Sequence, residues 1–202
     1  MRNQFSKTVA GCVLAVISLA SVAIAQAPAA GGQGGRGQAP LAIPNATYVT
    51  IPLEITVNRP AAEVWKRVGK YCDIGEWLRA NCTITSGKDG EVGTIRSIGS
   101  EILVGKTDLS YTYTQPVRTG VPYILYHGTL EARPLTATTS KIVYTLVYDN
   151  STLADDAARD ADKARRTTQF TTAIQNMKIL AEGGTLPPAA ARGAAPAAPP
   201  VK

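Results

Sequence analysis

A single histidine and three cysteines are all that this 202-residue chain offers in the way of nitrogen and sulfur metal ligands. Structural zinc needs four such groups at close spacings, so no metal site is expected. No cofactor is implied either. The glycine-rich run GGQGGRG lies ahead of any predicted strand and cannot form a phosphate loop, and a nucleophile elbow is absent. Long apolar runs are missing too, because the stretch from Val9 to Ile24 falls short of the roughly 20 residues a membrane span requires and is diluted by Gly11, Ser18 and Ser21. Finally, the body of the chain has little excess charge. There are 21 bases against 15 acids overall, but removing the terminal Arg2, Lys7, Arg36, Arg192 and Lys202 leaves 16 against the same 15 between Tyr48 and Gly184. A nucleic-acid partner would need a basic face. The one cluster, Lys163-Ala164-Arg165-Arg166, falls on a predicted helix that also carries four acids, and it reads as a solvated face.

What the chain does contain is sharply divided. Arg2 and Lys7 precede the apolar stretch, and Ala23-Ile24-Ala25 gives a small-x-small cleavage site, so residues 1–25 read as a signal peptide and the protein as exported, periplasmic or secreted. An uncleaved anchor is the rival. Cys12 lies at the start of the apolar stretch, where a lipoprotein cysteine would not be. Residues 26–46 are a Gly/Ala/Pro-rich linker and residues 185–202 an Ala/Pro-rich tail expected to be disordered, each with too little apolar volume to pack. The folded domain is expected over residues 47–184. Export and removal of the leader leave Cys72 and Cys82 as the only cysteine pair, which predicts a disulfide; the alternative is two buried thiols.

Inside the domain the hydrophobic period changes twice. VTIPLEITV (49–57) reads as a strand that Pro52 confines to an edge or a bulge. Asn58-Arg59-Pro60 then opens a short helix with Val64, Trp65 and Val68 on its buried side, and a second brief helix covers Asp73 to Leu78. From Asn81 the period is two, with candidate strands at Cys82 to Ser86, Val92 to Ile98, Glu101 to Val104, Leu109 to Gln115, Tyr123 to Pro134 and Thr139 to Asp149. Consecutive short strands of this kind predict an antiparallel meander. Last comes a helix of about thirty residues, Leu153 to Glu182, with Thr152 and Asp155 as a capping pair and Gly183-Gly184 as the stop. Its apolar stripe is Phe170, Ala173, Ile174, Met177, Leu180 and Ala181.

This order, with Asn58-Arg59-Pro60-Ala61 leading into Val64-Trp65, then Trp77, Gly93-Thr94-Ile95-Arg96, Glu101-Ile102-Leu103, Tyr111-Thr112-Tyr113 and Tyr126-His127-Gly128-Thr129-Leu130, resembles the START-like helix-grip superfamily (SRPBCC). Within it, the chain is similar to the polyketide cyclase/dehydrase and lipid transport family, over about Tyr48 to Glu182. The resemblance implies an α+β helix-grip fold, an antiparallel sheet of about seven strands wrapped around the long C-terminal helix with two short helices after the first strand. It also implies a cavity between sheet and helix for an apolar small molecule or lipid. It does not imply catalysis.

Strand alternation assigns the cavity wall. Tyr111 and Tyr113 share a face with Leu109, as do Tyr126 with Leu130 and Tyr144 with Ile142, Leu146 and Tyr148. A buried phenol costs free energy unless its hydroxyl is bonded, so five tyrosines on one concave surface suit a cavity better than a plain core. The predicted ligand-binding set is Tyr111, Tyr113, Tyr126, Leu130, Tyr144, Tyr148, Phe170, Ile174 and Met177, with the helix residues as a lid over the tyrosines. His127 alternates with these residues and should face water. The sequence therefore favours an exported binding protein for an apolar or aromatic ligand, without stable membrane insertion once the leader is gone. Its rivals are a cyclase- or dehydratase-like enzyme on the same scaffold and a cell-envelope interaction module with a filled core.

Overall fold

A computed structural model describes residue 43 and residues 45–188; the proposed leader, most of the linker and the end of the tail lie outside the described residues. The chain opens with β1 (Tyr48–Val57), then α1 (Ala61–Val68) and α2 (Ile74–Trp77). Six strands follow: β2 (Ile84–Ser86), β3 (Ile95–Arg96), β4 (Glu101–Thr107), β5 (Ser110–Thr114), β6 (Ile124–Pro134) and β7 (Ser140–Asp149). A 26-residue helix, α3 (Asp156–Ala181), ends the domain. All seven strands form one antiparallel sheet in the order β1-β7-β6-β5-β4-β3-β2, so the meander runs in chain order and β1 returns to pair with β7. Pro52 sits on that edge strand, exposed and opposite Thr145, where its missing N–H costs no central ladder bond.

Alternation in β6 and β7 buries Tyr126, Leu130, Ala132, Ile142, Tyr144, Leu146 and Tyr148 on one face. Phe170, Ala173, Ile174, Met177 and Leu180 of α3 are buried in the same core, at the spacings of three and four that put them on one side of a helix. Each large apolar side chain removed from water in this way contributes about 1.5 to 3 kcal/mol. Cys72 and Cys82 are joined in a disulfide, with Cα atoms 5.4 Å apart, tying the approach to α2 to the chain entering β2. Beyond α3, Leu186 packs against the core and Arg79 donates to the Pro187 carbonyl.

Several local expectations are corrected. The helix begins at Asp156 and not at Leu153, because Leu153 is fully buried in a turn whose amide bonds the Asn150 carbonyl at 3.0 Å. Asp155 alone is the cap, its carboxylate accepting the Ala158 N–H at 2.8 Å, and the Thr152 hydroxyl is buried with no hydrogen-bond partner among the described residues. A full negative charge suits the positive helix end better than a hydroxyl. Strand β3 keeps only two of its seven expected residues because Gly93 (φ 93°) and a 3-10 turn at Ile98–Ser100, with Gly99 at φ 62°, bend the chain on either side. Strand β4 runs on to Thr107, and Leu109 lies in the turn into β5, not in the strand with Tyr111 and Tyr113.

Candidate functional site

The nine expected lining residues are all buried in one core, but they do not form one cavity wall. Tyr113, Tyr126 and Phe170 line a cleft of about 390 Å³ between the middle of α3, α2, the turn before β4 and the segment joining β5 to β6. Tyr111 lies away from it, against Trp65 (5.6 Å between ring centroids) and Tyr71 (5.5 Å), and borders a separate cleft of about 310 Å³ beside α1. The expected lid over Tyr111 is thus supplied by the α1 region and not by α3. Leu130, Tyr144, Tyr148, Ile174 and Met177 pack behind the first cleft as core. Tyr144 touches Phe170 (5.1 Å), and its hydroxyl is bonded to that of Tyr113 at 2.6 Å, so two buried phenols satisfy each other. Burial pushes both phenols well above their ordinary value, which keeps them neutral hydroxyls.

Two local devices shape the cleft wall. At Gly128 a Cβ would come within 2.4 Å of the Tyr113 ring, so the absence of a side chain lets that ring lie flat on β6. At the start of β6 the pairing with β7 slips between Ile124 and His127, and Leu125 takes φ 53°, a conformation costly for a side chain of its size. This bulge turns Tyr123 and Tyr126 to the same side, 5.0 Å apart, both on the cleft. His127 follows on the opposite face of the strand from Tyr126, half-buried, and burial lowers the pKa of its imidazole.

The polar side of the cleft is where the sequence reading fell short. A chain of contacts leads inward from its mouth: Tyr123 Oη donates to Gln115 Oε1 at 2.9 Å, and Gln115 Nε2 donates to Glu101 Oε1 at 2.7 Å. Glu101 Oε2 in turn accepts Arg96 Nε at 2.6 Å. Arg96 is 0 % exposed, also donates to the Tyr71 carbonyl, and stacks on the rings of Tyr71 (4.2 Å) and Tyr113 (4.7 Å). Burial pushes the Glu101 carboxyl up, and the adjacent Arg96 opposes the shift. Across the cleft, Arg166 projects from α3 into a second aromatic cage, 4.3 Å from the Tyr123 ring, 4.7 Å from Tyr148 and 5.5 Å from Tyr126. Its Nε donates to Asp162 Oδ2 at 2.9 Å, while Asp162 Oδ1 accepts Arg165 Nη2 at 2.6 Å. Burial opposes the charge on Arg166, and Asp162 overrides it to hold the guanidinium above its ordinary value. The solvated-face reading of 163–166 is therefore corrected: Lys163 and Arg165 are exposed, but Arg166 and Asp162 are buried.

A long helix packed on one face of a seven-stranded antiparallel sheet, with a cleft bearing aromatic side chains beneath its midpoint, defines a helix-grip protein. The chain belongs to the polyketide cyclase / dehydrase and lipid transport family, which matches residues 48–182. Solved structures share the fold at low identity. A solution NMR structure of a Thermobifida fusca protein aligns at 21% identity and a TM-score of 0.56, covering 67% of this chain and 95% of that one. Truncated norcoclaurine synthase from Thalictrum flavum aligns at 14% and 0.52, covering 69% and 97%. A Thermus thermophilus protein aligns at 12% and 0.50, covering 66% and 97%. No curated protein matches the chain.

Proposed function

We propose that this is an exported binding protein that holds an apolar or aromatic small molecule in the cleft between sheet and α3. The observation that carries the reading is the cleft itself, about 390 Å³ and walled by Leu78, Ile98, Tyr113, Tyr123, Tyr126 and Phe170. That volume falls in the range of small-molecule sites, and the mixture of apolar walls with a few polar groups is their usual composition. Tyr111, Leu130, Tyr144, Tyr148, Ile174 and Met177 act in this reading as the packed support of the wall. Export is supported by the basic, apolar and small-residue order of the first 25 residues and by the Cys72–Cys82 bridge, which suits an oxidising compartment. No helix among the described residues is long and apolar enough to cross a membrane.

A second reading, a cyclase- or dehydratase-like enzyme, is favoured by one observation. Glu101 lines the cleft beside Tyr113, and burial pushes its carboxyl up, which is how a general acid is tuned. Both Glu101 oxygens already accept a hydrogen bond, from Gln115 and Arg96, so binding remains the preferred reading.

The test is titration with the neutral fluorescent probe N-phenyl-1-naphthylamine, with native mass spectrometry of freshly purified protein alongside. Saturable one-to-one binding is expected. Ile98→Asp, at the partly exposed rim, should weaken it about tenfold by placing a charge in the apolar wall. Absence of saturable binding together with no co-purified small molecule would overturn the proposal.

A further inference from the structure

The charge around the cleft restricts what the ligand can be, and this inference rests on the binding reading above. Four arginines line the cleft or pair with residues that do: Arg96, Arg118, Arg165 and Arg166. Against them stand two carboxylates, Glu101 and Asp162. Glu101 is matched by Arg96, whereas the single Asp162 is shared between Arg165 and Arg166, and Arg118 at the mouth donates to the neutral Gln115 at 3.3 Å and makes no ion pair among the described residues. An excess of two positive charges therefore adjoins a wall that includes the rings of Tyr113, Tyr123, Tyr126 and Phe170.

Arg166 concentrates this excess. Asp162 occupies only its Nε, and neither Nη1 nor Nη2 has a hydrogen-bond partner among the described residues. Those two groups are not sealed off, since the side chain lines the cleft and remains 7 % exposed. The Tyr123 and Tyr148 rings hold the guanidinium in place without consuming its N–H donors. A fixed planar fork with two free donors is the geometry that takes an oxyanion in a bidentate grip.

We infer that the ligand is an amphipathic organic acid. Its flat apolar body lies against Tyr113, Tyr126 and Phe170, and its carboxylate or other oxyanion is gripped by Nη1 and Nη2 of Arg166, with Arg118 and Arg165 drawing it in. Arg166 is then a specificity residue, discriminating acids from neutral molecules of the same shape.

Two fluorescent probes test this, because 8-anilinonaphthalene-1-sulfonate and N-phenyl-1-naphthylamine share one ring system and differ by the sulfonate. On the full chain the anionic probe should bind at least about tenfold tighter, the preference expected of a charge-assisted, partly desolvated contact. Arg166→Gln should collapse that ratio toward one, Arg166→Lys should keep part of it, and Arg133→Gln, on an exposed strand end, should leave it alone. If Arg166→Gln fails to fold in a thermal melt, Arg118→Gln on the exposed β5–β6 segment carries the test, lowering the ratio about threefold through lost long-range attraction. Neutral-probe binding equal to or tighter than the anionic probe, or a ratio that neither Arg166→Gln nor Arg118→Gln changes, overturns the inference while leaving the cleft reading standing. Failure of both probes to bind overturns the cleft reading itself, and the inference with it.

Discussion

Arg96 and Arg166 occupy two tyrosine cages on either side of one cleft. Each guanidinium stacks on aromatic rings within 5 Å and donates its Nε to a buried carboxylate. They differ in what remains. Arg96 is wholly enclosed and also bonds the Tyr71 carbonyl, so its charge ties β3 to the chain behind α1. Arg166 keeps a fraction of its surface on the cleft and two donors without a partner among the described residues. The same cluster of groups serves as a tie where water is excluded and as a recognition element where it is not.

The largest effect should come from breaking the enclosed pair. Glu101→Ala strands Arg96 in a site that water cannot reach, and should cost about 3 to 5 kcal/mol in urea unfolding. Asp162→Ala, which leaves Arg165 and Arg166 in reach of solvent, should cost clearly less; equal losses would break the distinction between the cages. A smaller effect is expected for Tyr144→Phe, which removes one partner of the Tyr113 hydroxyl behind the cleft. It should destabilise by about 1 kcal/mol and leave the preference for the anionic probe unchanged. The smallest effect belongs to His127, on the far face of the sheet from both arginines. Burial holds its folded pKa below the ordinary 6.5, so the unfolded chain binds the proton first as pH falls. Stability should therefore rise with pH through the window just below about 6.5 and level off above it. His127→Gln should flatten that slope without changing probe binding, as urea midpoints measured across the window will show.

The order of elements and the inward faces of β6 and β7 were legible because period-two alternation is uninterrupted there, from Tyr126 to Leu130 and from Ile142 to Tyr148. The family resemblance rested on a longer ordered set, from Asn58-Arg59-Pro60-Ala61 through Trp77 and Tyr111-Thr112-Tyr113 to Tyr126–Leu130. The edges of β3 were not legible, because Gly93 and Gly99 bend the chain without altering the apolar pattern. Arg166 was missed for a different reason. Asp162, Arg166, Phe170, Ile174 and Met177 continue one stripe at spacings of three and four, but charged residues on a helix are read as its wet face unless a partner is known. Asp162 is that partner, four residues away, and an i,i+4 acid–base pair is equally at home on a surface. Glu101 was concealed in the same way, since nothing in a linear chain shows that Arg96, across a tight turn, neutralises it.

Gly128 leaves the depth of the cleft under the control of one missing atom. The Tyr113 ring rests against bare backbone there, and a methyl group would meet it at 2.4 Å. Gly128→Ala would have to tilt that ring off the strand, at the expense of cleft volume and of its hydroxyl contact with Tyr144. Cleft volume and core hydrogen bonding are thereby geared together, so that a side chain at position 128 alters the phenol pair at the same time.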